Sequence, residues 1–238
     1  MTTPKVAFVT GASSGIGRAI TTRLAADGLT VVAAARRTEL LDELAAGTDT
    51  IEAQELDVTD RDAVRRAVDD AVARHGRLDV FVANAGVMPL SRLDSDLVDE
   101  WDTMIDVNIR GLLHGISASL PHFRTQGSGH FVTTASVGSY KVTPTAAVYC
   151  GTKYAAWAIT EGLRQESPPG IRVTTVSPGV VESELANTIS DPHAKGFMKE
   201  YRKYALDPAA IAAAVSYAVG QPADVDVNEM VIRPVRQR

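Results

Sequence analysis

The chain has 238 residues, 45% hydrophobic and 22% charged, a balance that suits a soluble globular protein with a full core. With 24 Lys and Arg against 29 Asp and Glu the net charge is −5, which argues against a general electrostatic nucleic-acid binder. The one cysteine, Cys150, excludes an internal disulfide framework and an all-cysteine zinc site. No apolar run reaches the ~18 residues of a membrane span. The opening Met-Thr-Thr-Pro-Lys carries no signal-peptide pattern, so a cytoplasmic location is expected.

The first predicted strand is residues 6–9, Val-Ala-Phe-Val. A glycine-rich turn then opens a helix whose apolar stripe is Ile20, Leu24 and Ala25. Strands follow at 30–34 and 51–56, and Thr59-Asp60 reads as the cap of a helix with Ala63, Ala67, Val68, Ala71 and Val72 on one face. Further strands are expected at 80–82, 130–133, 172–176 and 230–232, with long helical stretches at 102–124 and 146–166. Most strand segments are apolar on both faces, as parallel strands covered by helices on each side must be. The alternation implies successive right-handed βαβ units. The expected architecture is therefore α/β, one doubly wound Rossmann-type domain over residues 1–238. Residues 183–206 break the pattern, with Asp191-Pro192 and Gly196 read as breakers. They read as an insertion, a lid of high mobility in which Met198, Tyr201 and Tyr204 could cover an apolar pocket.

The turn after the first strand is Thr10-Gly11-Ala12-Ser13-Ser14-Gly15-Ile16-Gly17. Its G-x-x-x-G-x-G spacing differs from G-x-G-x-x-G, but the physics is similar: glycines allow close backbone approach, and a pyrophosphate can sit on helix N-terminal amides. The same loop contains Gly11-Ala12-Ser13-Ser14-Gly15, which fits the nucleophile elbow G-x-S-x-G of serine hydrolases with Ser13 as nucleophile. That alternative lacks an oxyanion loop from an earlier strand, and the last histidine, His193, follows Asp191 by only two residues in the insertion. At the end of the second strand, where an acid would bind a free ribose 2′-hydroxyl, stands Ala35-Arg36-Arg37. Two guanidinium groups suit a 2′-phosphate; solvation of a helix start is the plainer alternative, though cations there oppose the helix dipole.

Tyr149 and Lys153 are four residues apart in a helical pattern and so share one face. A phenol with an ordinary pKa of about 10 exchanges protons poorly at neutral pH unless a cation stabilises its anion. The five histidines show no metal-ligand spacing, so no metal is expected. Cys150, beside the tyrosine, reads as a packing residue.

Taken together, Thr10-Gly11-x-x-x-Gly15-x-Gly17, Leu56-Asp57-Val58, Asn84-Ala85-Gly86, Asn108-x-x-Gly111, Ser136, Tyr149-x-x-x-Lys153 and Pro178-Gly179-x-Val181 occur in one order. In this the chain resembles the short-chain dehydrogenase/reductase family over nearly its whole length. The resemblance implies an NADP(H)-dependent enzyme with Tyr149 as proton donor, Ser136 polarising the substrate oxygen, Lys153 holding the nicotinamide ribose, and Asn108 anchoring a relay water. It also implies that Gly11, Ser13, Ser14, Gly15, Ile16 and Gly17 form the pyrophosphate turn, with Arg36 and Arg37 at the 2′-phosphate. Asp57 and Val58 would contact the adenine, and Asn84 and Gly86 the adenosine side. Pro178, Gly179, Val181 and the Ser183 hydroxyl would lie at the carboxamide end. Singly, Asp57 could be a cap, Asn108 a polar residue satisfied in its helix, and Ser136 a turn residue.

The chain departs from the family pattern at Ala83-Asn84, at the short connection Glu166-Ser167-Pro168-Pro169-Gly170, and at an ending, residues 227–234, without Asp-Gly-Gly. That ending and residues 34–37 are similar to the NADP-dependent branch with serine, 3-hydroxy acid and clavulanic acid dehydrogenases. Val137, Gly138, Met88 and Pro144 suggest a partly apolar substrate pocket; Lys195, Arg202 and Lys203 could meet an anionic substrate or simply solvate the insertion. The expected partners are a small carbonyl or alcohol substrate and further copies of the chain, as a homodimer or homotetramer, with no nucleic acid and no membrane. A non-catalytic nucleotide sensor on the same fold is the rival from another class.

Overall fold

A computed structural model describes residues 4–237. All seven predicted strands form, their ends shifted by no more than two residues: β1 (Val6–Thr10), β2 (Thr30–Ala35), β3 (Ile51–Glu55), β4 (Val80–Ala83), β5 (Gly129–Thr134), β6 (Ile171–Pro178) and β7 (Glu229–Ile232). They make one parallel sheet in the order β3-β2-β1-β4-β5-β6-β7. The order reverses between β1 and β4, which opens a crevice beyond their C-terminal ends, where open α/β sheets bind ligands. This is a single-domain doubly wound α/β fold.

The connecting helices are α1 (Gly15–Ala26), α2 (Thr38–Ala45), α3 (Arg61–His75), α4 (Val98–Ile105), α5 (Gly111–Gln126), α6 (Ala147–Glu166), α7 (Pro192–Tyr201) and α8 (Pro208–Val219). Successive residues of β1 point to opposite layers. Val9 packs with Ile20, Leu24, Ile211 and Val215 of α1 and α8, whereas Phe8 packs with Val64, Val68 and Phe123 of α3 and α5. Phe8, Phe81 and Phe131 lie in register on β1, β4 and β5 and stack with centroids 5.5 and 5.3 Å apart. Gly115 lets α5 settle on this ladder, since a Cβ there would lie 2.6 Å from the Phe81 ring. The inner strands are buried on both faces; the edge strand β3 alternates instead.

One expectation is narrowed and two are corrected. Asp60 alone caps α3, its carboxylate accepting from the Ala63 N–H, while Asp57 Oδ1 accepts from Thr59 N and Oγ1 in the preceding turn. The stretch 102–124 is not one helix: α4 and α5 are joined by a π turn, Asp106–Arg110. Asp191-Pro192 and Gly196 do not break the insertion. Asp191 accepts from the Ala194 N–H as the cap of α7, Pro192 opens that helix where no N–H is needed, and Gly196 lies inside it.

His130 on β5 is buried, and burial pushes its imidazole pKa down to about 3, helped by the nearby charges of Arg172 and Lys5. Thr174 Oγ1 donates to the Val227 carbonyl and so accepts from His130 Nε2 at 2.7 Å, which leaves Nδ1 bare and unpaired. A depressed folded-state pKa means that the unfolded chain, titrating near 6.5, binds the extra proton first. Stability should thus be intact above about pH 6.5 and fall by up to about 1.4 kcal/mol per pH unit below it. His130→Gln keeps a donor for Thr174 and cannot titrate. Its urea midpoint should change less between pH 7 and 4.5 than that of wild type; equal slopes would contradict the assignment.

Candidate active site

The crevice at the strand reversal is an open cleft of about 1030 Å³. Its floor is the glycine turn between β1 and α1. Gly11 and Gly15 hold positive φ, +68° and +52°, which favours glycine. A Cβ on Gly17 would lie 2.2 Å from the Gly11 carbonyl and 2.5 Å from Asn84 Nδ2. That close approach presses the start of α1 against the ends of β1 and β4. Thr10 ties those strand ends together: its hydroxyl accepts from Asn84 N and Ala85 N at 3.0 and 3.1 Å and donates to the Val82 carbonyl, while Asn84 Nδ2 returns a bond to the Thr10 carbonyl. Ala83, where the family pattern carries a second asparagine, joins the apolar layer instead.

Every residue expected in the site lines this cleft except Asn108. Ser136 follows β5, and its Oγ accepts from Gly138 N at 3.0 Å, so the turn role is present beside the cleft position. Tyr149 lies in the first turn of α6, its ring packed against the apolar cluster of Met88, Cys150 and Met198. Lys153 is one turn further on. Its Nζ donates to the Thr134 carbonyl at 2.9 Å and lies 6.0 Å from the Tyr149 ring centroid. Burial brings the Lys153 ammonium down to about 8. Cys150 is buried and its thiol is pushed up by desolvation, which fits packing and not nucleophilic attack.

Asn108 sits behind Lys153 in the π turn. It is not satisfied within its own helix: Oδ1 accepts from Val87 N at 2.9 Å, and Nδ2 donates to the Val87 carbonyl and to Thr152 Oγ1, both at 3.0 Å. A void of about 10 Å³ bounded by Thr10, Asn108, Thr134 and Lys153 is at the lower size limit for one water molecule.

At the other end of the cleft, Arg36 and Arg37 stand at the end of β2. Arg37 Nη2 donates to Ser13 Oγ at 3.0 Å and Ser14 Oγ at 2.7 Å, and Nη1 to Glu184 at 2.7 Å. Ser13 therefore has a permanent cation where a hydrolase would need a base. Among the described residues no histidine lines the cleft, so the elbow reading has no support.

The insertion forms the outer wall. Ile189, Ala194 and Met198 are buried against Met88 and Leu90, and Asp191 and Ser190 bond Ser95 and Glu100. Of the three cations singled out there, Arg202 lines the cleft and donates to the Ser183 carbonyl, while Lys195 and Lys203 are exposed off its wall. The side chain of Tyr201 lies outside the described residues. Sequence reasoning missed Lys141, Glu184, Arg233 and Gln237, all on the cleft wall. Gln237 reaches it from the far end of the chain, its Oε1 accepting from Val180 N at 3.0 Å.

The sequence profile of the short chain dehydrogenases matches residues 5–194. The chain belongs to the short-chain dehydrogenase/reductase family. It is 47% identical over 238 residues to an uncharacterized oxidoreductase of Staphylococcus saprophyticus, covering 98% of this chain and 97% of that one. An uncharacterized oxidoreductase of Listeria monocytogenes is 42% identical over 244 residues, with the same coverage. Among solved structures, the closed form of serine dehydrogenase complexed with NADP+ superposes with a TM-score of 0.91 at 30% identity, over 98% of this chain and 96% of that one. An alcohol dehydrogenase from the archaeon Thermococcus sibiricus, complexed with 5-hydroxy-NADP, gives 0.88 at 33% identity and 98% of both chains. As a short-chain dehydrogenase/reductase, the chain is an oxidoreductase acting on CH–OH and C=O groups. No helix among the described residues is long and apolar enough to cross a membrane.

Proposed function

We propose that this protein is an NADPH-dependent carbonyl reductase or alcohol dehydrogenase in which Tyr149 donates and accepts the proton. The observation that carries the reading is the convergence of Ser136, Tyr149 and Lys153 on the same cleft as the glycine turn. The cleft suits the cofactor: side chains on Gly11 or Gly17 would collide with Ala85, Asn84 or the Gly11 carbonyl, so only glycines let the turn fold this tightly at the floor, and Arg36 and Arg37 offer cations at the adenine end. The NADP+ of the serine dehydrogenase complex and the 5-hydroxy-NADP of the alcohol dehydrogenase complex support the same choice. Gly11, Gly15, Ile16 and Gly17 would hold the pyrophosphate, Asp57 and Val58 the adenine, Asn84 and Gly86 the adenosine side, and Pro178, Gly179, Val181 and Ser183 the carboxamide end. When bound, the nicotinamide supplies or accepts the hydride.

The chain's own residues handle the proton and the substrate oxygen. Ser136 hydrogen-bonds that oxygen and orients it toward the Tyr149 hydroxyl. Lys153, held at the Thr134 carbonyl, holds the ribose and favours the phenolate by its charge. Asn108 keeps the π turn fixed against Val87 and Thr152, next to the void that suits a relay water. Lys141, Arg202 and Arg233 on the wall favour a small substrate with a carboxylate, such as a hydroxy acid, over a neutral aldehyde or ketone. The reading includes a cytoplasmic homodimer or homotetramer.

The test is NADPH oxidation with a panel of aldehydes, ketones and keto acids. Turnover of at least one compound is expected, keto acids leading. NADPH binding without turnover of any would favour the nucleotide sensor.

The insertion is proposed as a lid, anchored at its middle by Ile189, Ala194 and Met198. Residues 184–204 should gain hydrogen-exchange protection when cofactor and substrate bind together. Equal protection with and without them would make the segment a fixed wall.

A further inference from the structure

The Arg37 guanidinium is held on two sides by the glycine turn and on a third by Glu184. Glu184 lies 147 residues away in sequence, at the start of the insertion. Its neighbour Ser183 packs over Gly15, where an added Cβ would lie 3.2 Å from the Ser183 Cβ. The strap that follows β6 therefore crosses the turn and delivers a carboxylate to the cation that flanks the adenine end. The Arg37 hydrogen bond and charge, with help from Ser14, hold the Glu184 carboxyl below its usual range, so it is ionised at neutral pH. Among the described residues no ion pair involves Arg36.

A 2′-phosphate carries about −1.5 to −2 charges at pH 7. Approaching this pair of arginines, it meets Arg36 available but Arg37 already occupied by an anion. It must displace Glu184 from Nη1 or bind beside it against like-charge repulsion. We infer that Glu184 is a specificity-determining residue that restrains the 2′-phosphate preference of the cleft by competing for Arg37. The inference rests on reading the cleft as a nicotinamide dinucleotide site. Arg37 and Glu184 side chains are 48% and 54% exposed, and such surface pairs contribute little to folding. The carboxylate acts on what binds at Arg37.

Calorimetric titration with adenosine 2′,5′-bisphosphate and with AMP tests this without any turnover. In Glu184→Gln the affinity ratio of bisphosphate to AMP should rise by about threefold to tenfold, the exposed site being partly screened by salt. Glu184→Ala should move it in the same direction, which guards against a local rearrangement particular to glutamine. On an Arg37→Gln background the Glu184→Gln change should leave the ratio within twofold, because the contested cation is gone. A ratio that stays constant or falls in both Glu184 variants overturns the inference. So does a rise that persists without Arg37. If wild type binds these nucleotides and only the ratio fails to respond, Glu184 alone is misassigned. If it binds neither AMP nor the dinucleotides, the dinucleotide reading falls and takes the inference with it.

Discussion

Tyr149→Phe should lower kcat by about 10²–10⁴-fold, the usual cost of removing a general acid. The substitution removes one hydroxyl and keeps the ring that packs on Met88 and Met198, so the melting temperature should change little. NADPH affinity should remain near that of wild type, since Lys153 keeps its bond to the Thr134 carbonyl. The loss should therefore appear in kcat and kcat/KM alike, the pattern of an interaction made only in the transition state. Single-turnover kinetics with the best substrate of the panel, beside a fluorescence titration with NADPH, would measure both. Retention of more than about a tenth of wild-type turnover would mean that another group supplies the proton.

The second large effect concerns cofactor choice. A hydrogen bond to a charged group is worth about 1.5–3 kcal/mol, and 1.4 kcal/mol is a factor of ten. Arg36 should thus favour NADPH over NADH by roughly tenfold to a hundredfold, nearer the lower figure because its side chain is exposed. Arg36→Ala should erase most of that preference, and added salt should weaken it in wild type. Arg37 should contribute less, since Glu184 already holds one of its donors. Ala35→Asp should compound the loss: Ala35 is buried at the cleft end of β2, where a carboxylate would repel the 2′-phosphate and accept from a free 2′-hydroxyl. Values of kcat/KM for both cofactors in the three proteins decide it. A wild type that prefers NADH, or an Arg36→Ala variant with unchanged preference, would sink the argument.

The parts of the fold and site that the sequence displays are those written in short spacings. The strands announce themselves by β-branched runs, the turn by Gly11, Gly15 and Gly17, and the Tyr149–Lys153 face by one helical turn. Contacts set by tertiary approach leave no such mark. Nothing local links Arg37 to Glu184 or Gln237 to Val180. The π turn at Asp106–Arg110 keeps helical residues and so hides in a helical pattern. Asp191, Pro192 and Gly196 mislead because the residues that break a helix also start one, and a single exposed glycine inside a helix costs only about 1 kcal/mol.

The Gln237 contact makes one wall of the cleft wait on a segment 57 residues further along the chain. The glycine turn and the side chain that caps the Val180 amide stand more than two hundred residues apart, so a ribosome delivers the one well before the other. A domain generally folds as a unit, so one wall of the ligand site stays unfinished until residue 237 is free to fold back. A dinucleotide should therefore be of little help to folding before residue 237 has been made. It should act as a stabiliser of the finished protein, by mass action on the native state.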